Sequence, residues 1–352
     1  MMLLSSAIVY FPFRHDFSAL YRYWDGPLYI YLAKTVYQIP AGHPFVAYGL
    51  PQIYFASHLP LYPLLIRLFT IFTFGDYPAA MLLVTLVSSI VAAVLFFRLL
   101  ETQRLVVSPL WTSMLFCFFP PRWLIYHSVG ATEPLFLCFV FAAFLAYYRQ
   151  RLFILILAIV GASLTRIVGV LLIPAFFFAY LHRKELQKAF MIPLAGLGLI
   201  ALFCFYYLRF GDFFAYFRWN GGQHPIFQLN AFKIFRLYSL NSNFHSTELY
   251  WWTYILYALG TLALWKKKEL FIFSLLFFLF NVCIFHLDLS RYMLPLAPFA
   301  LLVAFDPVLH LRSARWILPL VLYLDYLYVW GYIPFNTVSV ESFQQLLNVV
   351  AK

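Results

Sequence analysis

Asp25 stands in Tyr21-Arg22-Tyr23-Trp24-Asp25-Gly26-Pro27-Leu28-Tyr29, a polar, aromatic and turn-forming stretch in a chain with only 13 acidic residues among 352. A carboxylate in such a place can take the proton from a hydroxyl as that hydroxyl becomes a nucleophile. The residue types also fit a plainer role, because Asp ahead of Gly-Pro is a favoured helix N-cap. The two roles are compatible: a helix N-terminus orients a carboxylate and keeps it ionised. Trp24 and Tyr29 would shield it in part from water. Asp16, nine residues earlier and next to His15, is either a solvated acid or a partner of Asp25 in proton work or divalent-metal binding.

Three further positions carry charge where charge is expensive. Glu133, in Ala131-Thr132-Glu133-Pro134, is either a site carboxylate or an acid at the start of a helix. Arg166 interrupts an apolar run of 30 residues, 152–181, and an arginine there marks a functional site by default. Its plainer reading is a structural ion pair, for example with Glu133. Arg291, in Asp288-Leu289-Ser290-Arg291-Tyr292, offers a guanidinium that can hold a phosphate through two parallel hydrogen bonds, or pair locally with Asp288. The chain has no Gly-rich phosphate loop, HExxH, GxSxG or CxxC motif, which disfavours nucleotide, zinc-peptidase and serine-hydrolase chemistry.

The elements that position these residues are apolar. Hydrophobic residues make up 64% of the chain, against about 45–50% in soluble domains. A soluble protein would expose large greasy patches at this composition, so lipid is the solvent for most of the chain. The four cysteines lie inside apolar runs without metal-ligand spacing, which predicts neither disulfide nor zinc. The net charge of +11 comes mostly from short tracts between apolar runs and does not point to nucleic acid.

Met1 to Phe13 is apolar but roughly 20 Å long as a helix, short of a full crossing. It reads as a short anchor or as the remnant of a start codon placed too late. Residues 14–58 form a first outer loop, in which Phe17–Tyr21 and Pro27–Tyr37 are expected as helices lying in the membrane interface. Residues 59–74 read as re-entrant or as a short buried helix. Spans are expected at about 77–97, 108–126, 131–148, 189–208, 248–265, 270–286, 292–305 and 316–333, with 152–181 crossing twice around Arg166.

The connectors Arg98–Arg104, Arg149–Arg151, His182–Lys188, Lys266–Lys268 and Arg312–Arg315 hold half of the 24 Lys and Arg residues. Placing them in the cytoplasm makes every span alternate. The expected fold is an all-α polytopic transmembrane domain covering residues 1–352, with about eleven spans plus a re-entrant helix. A second large outer loop falls at 210–247. The outer face then receives Asp25, Glu133, Arg166, Arg291 and seven of the nine histidines, His15, His43, His58, His127, His224, His245 and His286, so any site faces outward.

With these residues laid out, the chain resembles the GT-C membrane glycosyltransferases, and among them the GPI mannosyltransferase II family and its prokaryotic relatives. The resemblance is carried in order by Tyr23-Trp24-Asp25-Gly26-xx-Tyr29, Leu59-Pro60-Leu61-Tyr62-Pro63-Leu64-Leu65, Thr132-Glu133-Pro134-Leu135-Phe136, Leu164-Thr165-Arg166-xx-Gly169 and Arg291-Tyr292-Met293-Leu294-Pro295. It implies a multi-pass protein of the prokaryotic plasma membrane, or of the ER membrane in a eukaryote, with an extracytoplasmic site. It implies inverting transfer of mannose from a polyprenyl-phosphate donor to a lipid-linked or glycan acceptor. Asp25 falls where the family places its catalytic carboxylate. Glu133, Arg166 and Arg291, with Asp16, Trp24, Asp288 and Tyr292, are the expected substrate-binding positions. No cofactor is required, since the lipid-phosphate sugar carries the energy of the reaction, although a divalent metal fits the Asp16–Asp25 pair. The first span is shorter than the family pattern, and Gly26 stands where a small residue such as Ala is common. The competing class is a transporter or flippase of lipid-linked sugars, which would place polar residues near the midplane and show internal repeats.

Overall fold

In a computed structural model, residues 1–223, 234, 236 and 244–351 are described, and they form an all-helical protein without strands. Among the described residues, three helices are long and apolar enough to cross a membrane: Tyr77–Gln103, Leu186–Phe210 and Arg312–Phe335. They present apolar side chains outward. Val87, Val91 and Val94 are exposed on the first, and Trp316, Ile317, Leu320, Tyr323 and Leu324 on the last. Outward greasy faces of this kind suit lipid rather than water.

The other expected spans are shorter or broken, and their sequences say why. The stretch 108–126 divides into Pro109–Phe118 and Pro121–Tyr126, because Pro120 and Pro121 supply no N–H to continue the helical ladder. The stretch 292–305 changes pitch along its length, from α at Leu289–Met293 to 3₁₀ at Leu294–Leu296 and π at Pro298–Val303. Pro295 and Pro298 again remove donors there. The run 152–181 is two helical pieces, Leu152–Thr165 and 167–182, with Arg166 extended between them. Gly169 then packs on the preceding helix so closely that a Cβ would lie 2.5 Å from the Ser163 nitrogen. Residues 59–74 contain only the nine-residue helix Leu61–Phe69, roughly 14 Å long.

The first outer stretch differs from expectation. Ser18–Tyr21 is a single turn. Asp25–Thr35 is a helix, but Gly26 to Ala33 are buried on every side, so it does not float in an interface with one face to water. It packs on Leu61–Phe69 and Tyr77–Gln103. Its side chains share a core with Phe55, Tyr62, Ile66, Met81, Tyr206 and Leu346. Aromatic bulk drives this burial: Tyr29 and Tyr31 offer the helix large apolar surfaces on both flanks. At its start the backbone comes very close to the turn that leads to Glu133. A Cβ on Gly130 would sit 2.8 Å from the Gly26 Cα and 2.2 Å from the Met81 sulfur. That contact brings two motifs far apart in sequence against each other.

Of the expected second outer loop, Ala215–Arg218 is a short helix and Trp219–Gln223 a wide turn. The rest of 224–243, apart from Ile234 and Arg236, lies outside the described residues, as do the side chains from 244 to 247.

Candidate active site

Asp25 is the first residue of its helix, after Trp24 at the cap position, and no side chain caps this end. The carboxylate is therefore not used as a cap, contrary to the plainer reading of its sequence. It turns to Arg291, whose Nη1 lies 2.5 Å from Asp25 Oδ2. The Arg291 Nε is 2.6 Å from Glu133 Oε1, and the Arg166 Nη1 donates to the same oxygen at 2.5 Å. Arg166 also donates to Thr132 Oγ1 at 3.2 Å. Glu133 begins the helix Glu133–Tyr148, where the helix dipole favours an acid. It is 2% exposed, and its Oε2 is buried without a hydrogen-bond partner among the described residues. Asp25, Arg291, Glu133 and Arg166 thus form one continuous chain of alternating charge.

Arg291 lies over the ring of Tyr126, 4.5 Å from its centroid. Tyr126 donates to Asp288 Oδ2 at 2.8 Å. Asp288 does not pair with the Arg291 side chain, as local spacing suggested; its Oδ1 is 2.8 Å from Arg122 Nη2. Arg122 also donates to Ser290 at 3.0 Å and sits over the Tyr332 ring. Arg122 is a component that the sequence did not single out. The available signal was an arginine beside Pro120-Pro121 at the outer end of an apolar run.

His58 is the second such residue. Its Nε2 is 4.0 Å from Asp25 Oδ1, and its Nδ1 is 3.1 Å from Ser57 Oγ. The rings of Tyr29 and Tyr54 stand edge-on to the imidazole, and Tyr54 meets Trp219 in turn. The sequence signal was its place directly before Leu59-Pro60. Trp24 is half-buried and edge-on to Tyr48, and Tyr292 is half-buried against His286. Asp16 is exposed and accepts from the Ser18 N–H at 2.8 Å and the Ser18 hydroxyl at 2.7 Å. No hydrogen bond or ion pair among the described residues joins Asp16 to the Asp25 chain.

Burial alone would raise the Asp25 carboxyl, but the Arg291 guanidinium, then His58 and Arg166, outweigh it and hold Asp25 below the ordinary carboxylate value. Asp25 is therefore ionised at neutral pH. Burial pushes His58 down to about 4, against the pull of Asp25 and with the push of Arg291, so this imidazole is neutral. Unfolded, His58 would titrate near the ordinary 6.5. Between these values the unfolded chain holds the proton more tightly, so stability falls as pH drops from 6.5 toward 4. We expect His58→Gln to flatten this fall in thermal unfolding measured in detergent. Equal slopes in both proteins would assign the acid sensitivity to other groups.

Chemically, the arrangement offers an ionised carboxylate beside guanidiniums that are already dehydrated. A phosphate entering here can take over hydrogen bonds that Asp25 and Glu133 now accept, leaving Asp25 free to receive a proton. Searches against family models, curated proteins and solved structures found no match to this chain.

Proposed function

We propose that this protein is a GT-C-type glycosyltransferase of the membrane. It transfers a hexose, mannose by the family resemblance, from a polyprenyl-phosphate donor to a hydroxyl of a lipid-linked or glycan acceptor. The observation that supports this reading most directly is the charge chain itself. Four residues named in advance by four separate motifs, Asp25, Glu133, Arg166 and Arg291, touch one another in space. The membrane reading counts about eleven crossings, with the kinked and broken helices passing through in series. Irregular backbone at membrane depth is tolerated where protein surrounds it, as around Arg166.

In this reading Asp25 accepts the acceptor's hydroxyl proton while the oxygen attacks the anomeric carbon from the face opposite the phosphate. The new bond forms as the sugar–phosphate bond breaks, which inverts the configuration. The bonding electrons leave with the lipid phosphate, and Arg291 and Arg166 neutralise its charge. The low basicity of Asp25 fits this order of events, because the hydroxyl becomes acidic only as attack proceeds. Tyr54, which meets His58, and Trp219, which meets Tyr54, offer apolar rings to a sugar face.

The direct test uses purified protein incubated with polyprenyl-phosphate-mannose and membrane lipid extract. The expected result is a product heavier than its acceptor by one hexose, detected by mass spectrometry. Absence of any such product from folded protein would sink the transferase reading. The side of the membrane has its own test. In intact cells, Gln223→Cys is expected to react with an impermeant thiol reagent added outside, and Lys266→Cys to be shielded. The opposite pattern would put the site on the cytoplasmic face.

A further inference from the structure

The residues after the last long helix show no chemistry in the sequence, yet they run straight to Asp25. Asn336 to Val338 lie antiparallel to Arg22–Trp24 and pair with them. The Trp24 N–H donates to the Asn336 carbonyl at 3.1 Å, and the Val338 N–H donates to the Arg22 carbonyl at 2.9 Å. Arg22 Nη1 returns a third bond to the Val338 carbonyl at 2.8 Å. One residue on, the Ser339 N–H donates to the Tyr48 hydroxyl at 2.8 Å, and Tyr48 is the ring that Trp24 meets edge-on.

The helix Val340–Ala351 then buries Phe343 and Leu346 in the same core as Leu28 and Ile30. At its far end, Lys34 Nζ donates to the Val350 carbonyl at 2.9 Å. The tail therefore grips the Asp25 helix at both ends, immediately before Asp25 and at Lys34. On the other side of the bridge, the Tyr23 hydroxyl donates to Tyr126, the ring beneath Arg291.

We propose that residues 336–351 are a positioning strap that sets the backbone of Arg22–Trp24, and through it the Asp25 carboxylate, against Arg291. The strap touches neither reacting atom. It acts by fixing the peptide immediately before the catalytic residue, where an error of 1 Å costs about a hundredfold in rate. Its catalytic consequence rests on the transferase reading; its mechanical consequence does not.

Two variants test it. Val338→Pro deletes the N–H that bonds Arg22, and Arg22→Met deletes the side-chain bond while leaving the backbone pair. Val338→Ala, which keeps the N–H, is the control. Hydrogen–deuterium exchange is read on a peptide covering residues 22–26 and on one inside Tyr77–Gln103. The strap predicts about tenfold faster exchange of the first peptide in Val338→Pro, about threefold in Arg22→Met, and no change in the second peptide. It also predicts that the turnover of Val338→Pro falls about tenfold or more while KM for polyprenyl-phosphate-mannose stays within about twofold.

Unchanged exchange at 22–26 in both variants would overturn the strap. So would faster exchange with wild-type turnover, since the tail would then hold the backbone without positioning Asp25. If Val338→Pro does not fold, Arg22→Met decides alone on the same two readouts. If the wild-type protein forms no product, the transferase reading fails and the exchange measurement still decides whether the strap exists.

Discussion

Asp25→Asn is expected to lower sugar transfer by about 10²–10⁴-fold, the usual worth of a positioned general base, in a protein that still folds. The amide is nearly isosteric and can still accept from Arg291, but it cannot take up the hydroxyl proton. Arg291 keeps its second partner, Glu133 Oε1 at 2.6 Å, so the guanidinium proposed to bind phosphate stays in place. KM for the lipid-phosphate donor should therefore change by no more than a few-fold while turnover collapses. That split separates a lost base from a lost binding contact. Initial rates at saturating donor and acceptor, with product quantified by mass, give the answer. Retained turnover would remove Asp25 from the reaction. The companion Asp16→Asn should leave the rate within about twofold, because an exposed carboxylate bonded only to Ser18 lies outside the charge chain.

The second large effect is on folding. Glu133 takes two guanidiniums on one buried oxygen, and replacing it with Gln leaves Arg291 paired only with Asp25 and Arg166 without a carboxylate partner among the described residues. Removing one partner of a buried ion pair typically costs about 3–5 kcal/mol, because the remaining charge has lost its compensation and cannot regain water. We expect Glu133→Gln to be destabilised on this scale in denaturant unfolding in detergent. Arg166→Met should cost less, since Glu133 retains Arg291. The double variant should be more stable than the sum of the two losses by about 0.5–3 kcal/mol, the range for residues in contact. Strict additivity would mean that Glu133 and Arg166 do not interact. Glu133 Oε2, buried without a partner among the described residues, has room to accept one more donor.

Much of the framework was legible because its signals are local. An arginine in an apolar run must find protein or water, so the interruption at Arg166 was legible. The proline breaks were not: 108–126 and 292–305 read as continuous spans, yet the first breaks at Pro120-Pro121 and the second changes pitch around Pro295 and Pro298, because each proline removes its own N–H. The surplus of apolar residues requires helices that show greasy faces outward, and the three long helices do so. The four residues of the charge chain could be named in advance because charges are rare here and each occupies an expensive position.

What the sequence could not decide was who meets whom. Asp288 lies near Arg291 along the chain, yet its side chain belongs to Arg122, while Arg291 reaches Glu133 across 158 positions. Pro27–Tyr37 reads as amphipathic, yet neighbours cover both faces of that helix, a burial no periodicity reveals. Asp25 reads as a helix cap, yet Gly130 lets two backbones approach and hands its carboxylate to Arg291. Residues 336–338 carry none of the motifs named above, yet they pair with the peptide ahead of Asp25. Composition and residue type by themselves determined which groups need a partner, because desolvation penalises each charge wherever it is buried. Only the packing of helices distant in sequence chose the partner, because ion pairs and backbone bridges reach only a few ångströms and exist only where the fold closes that gap.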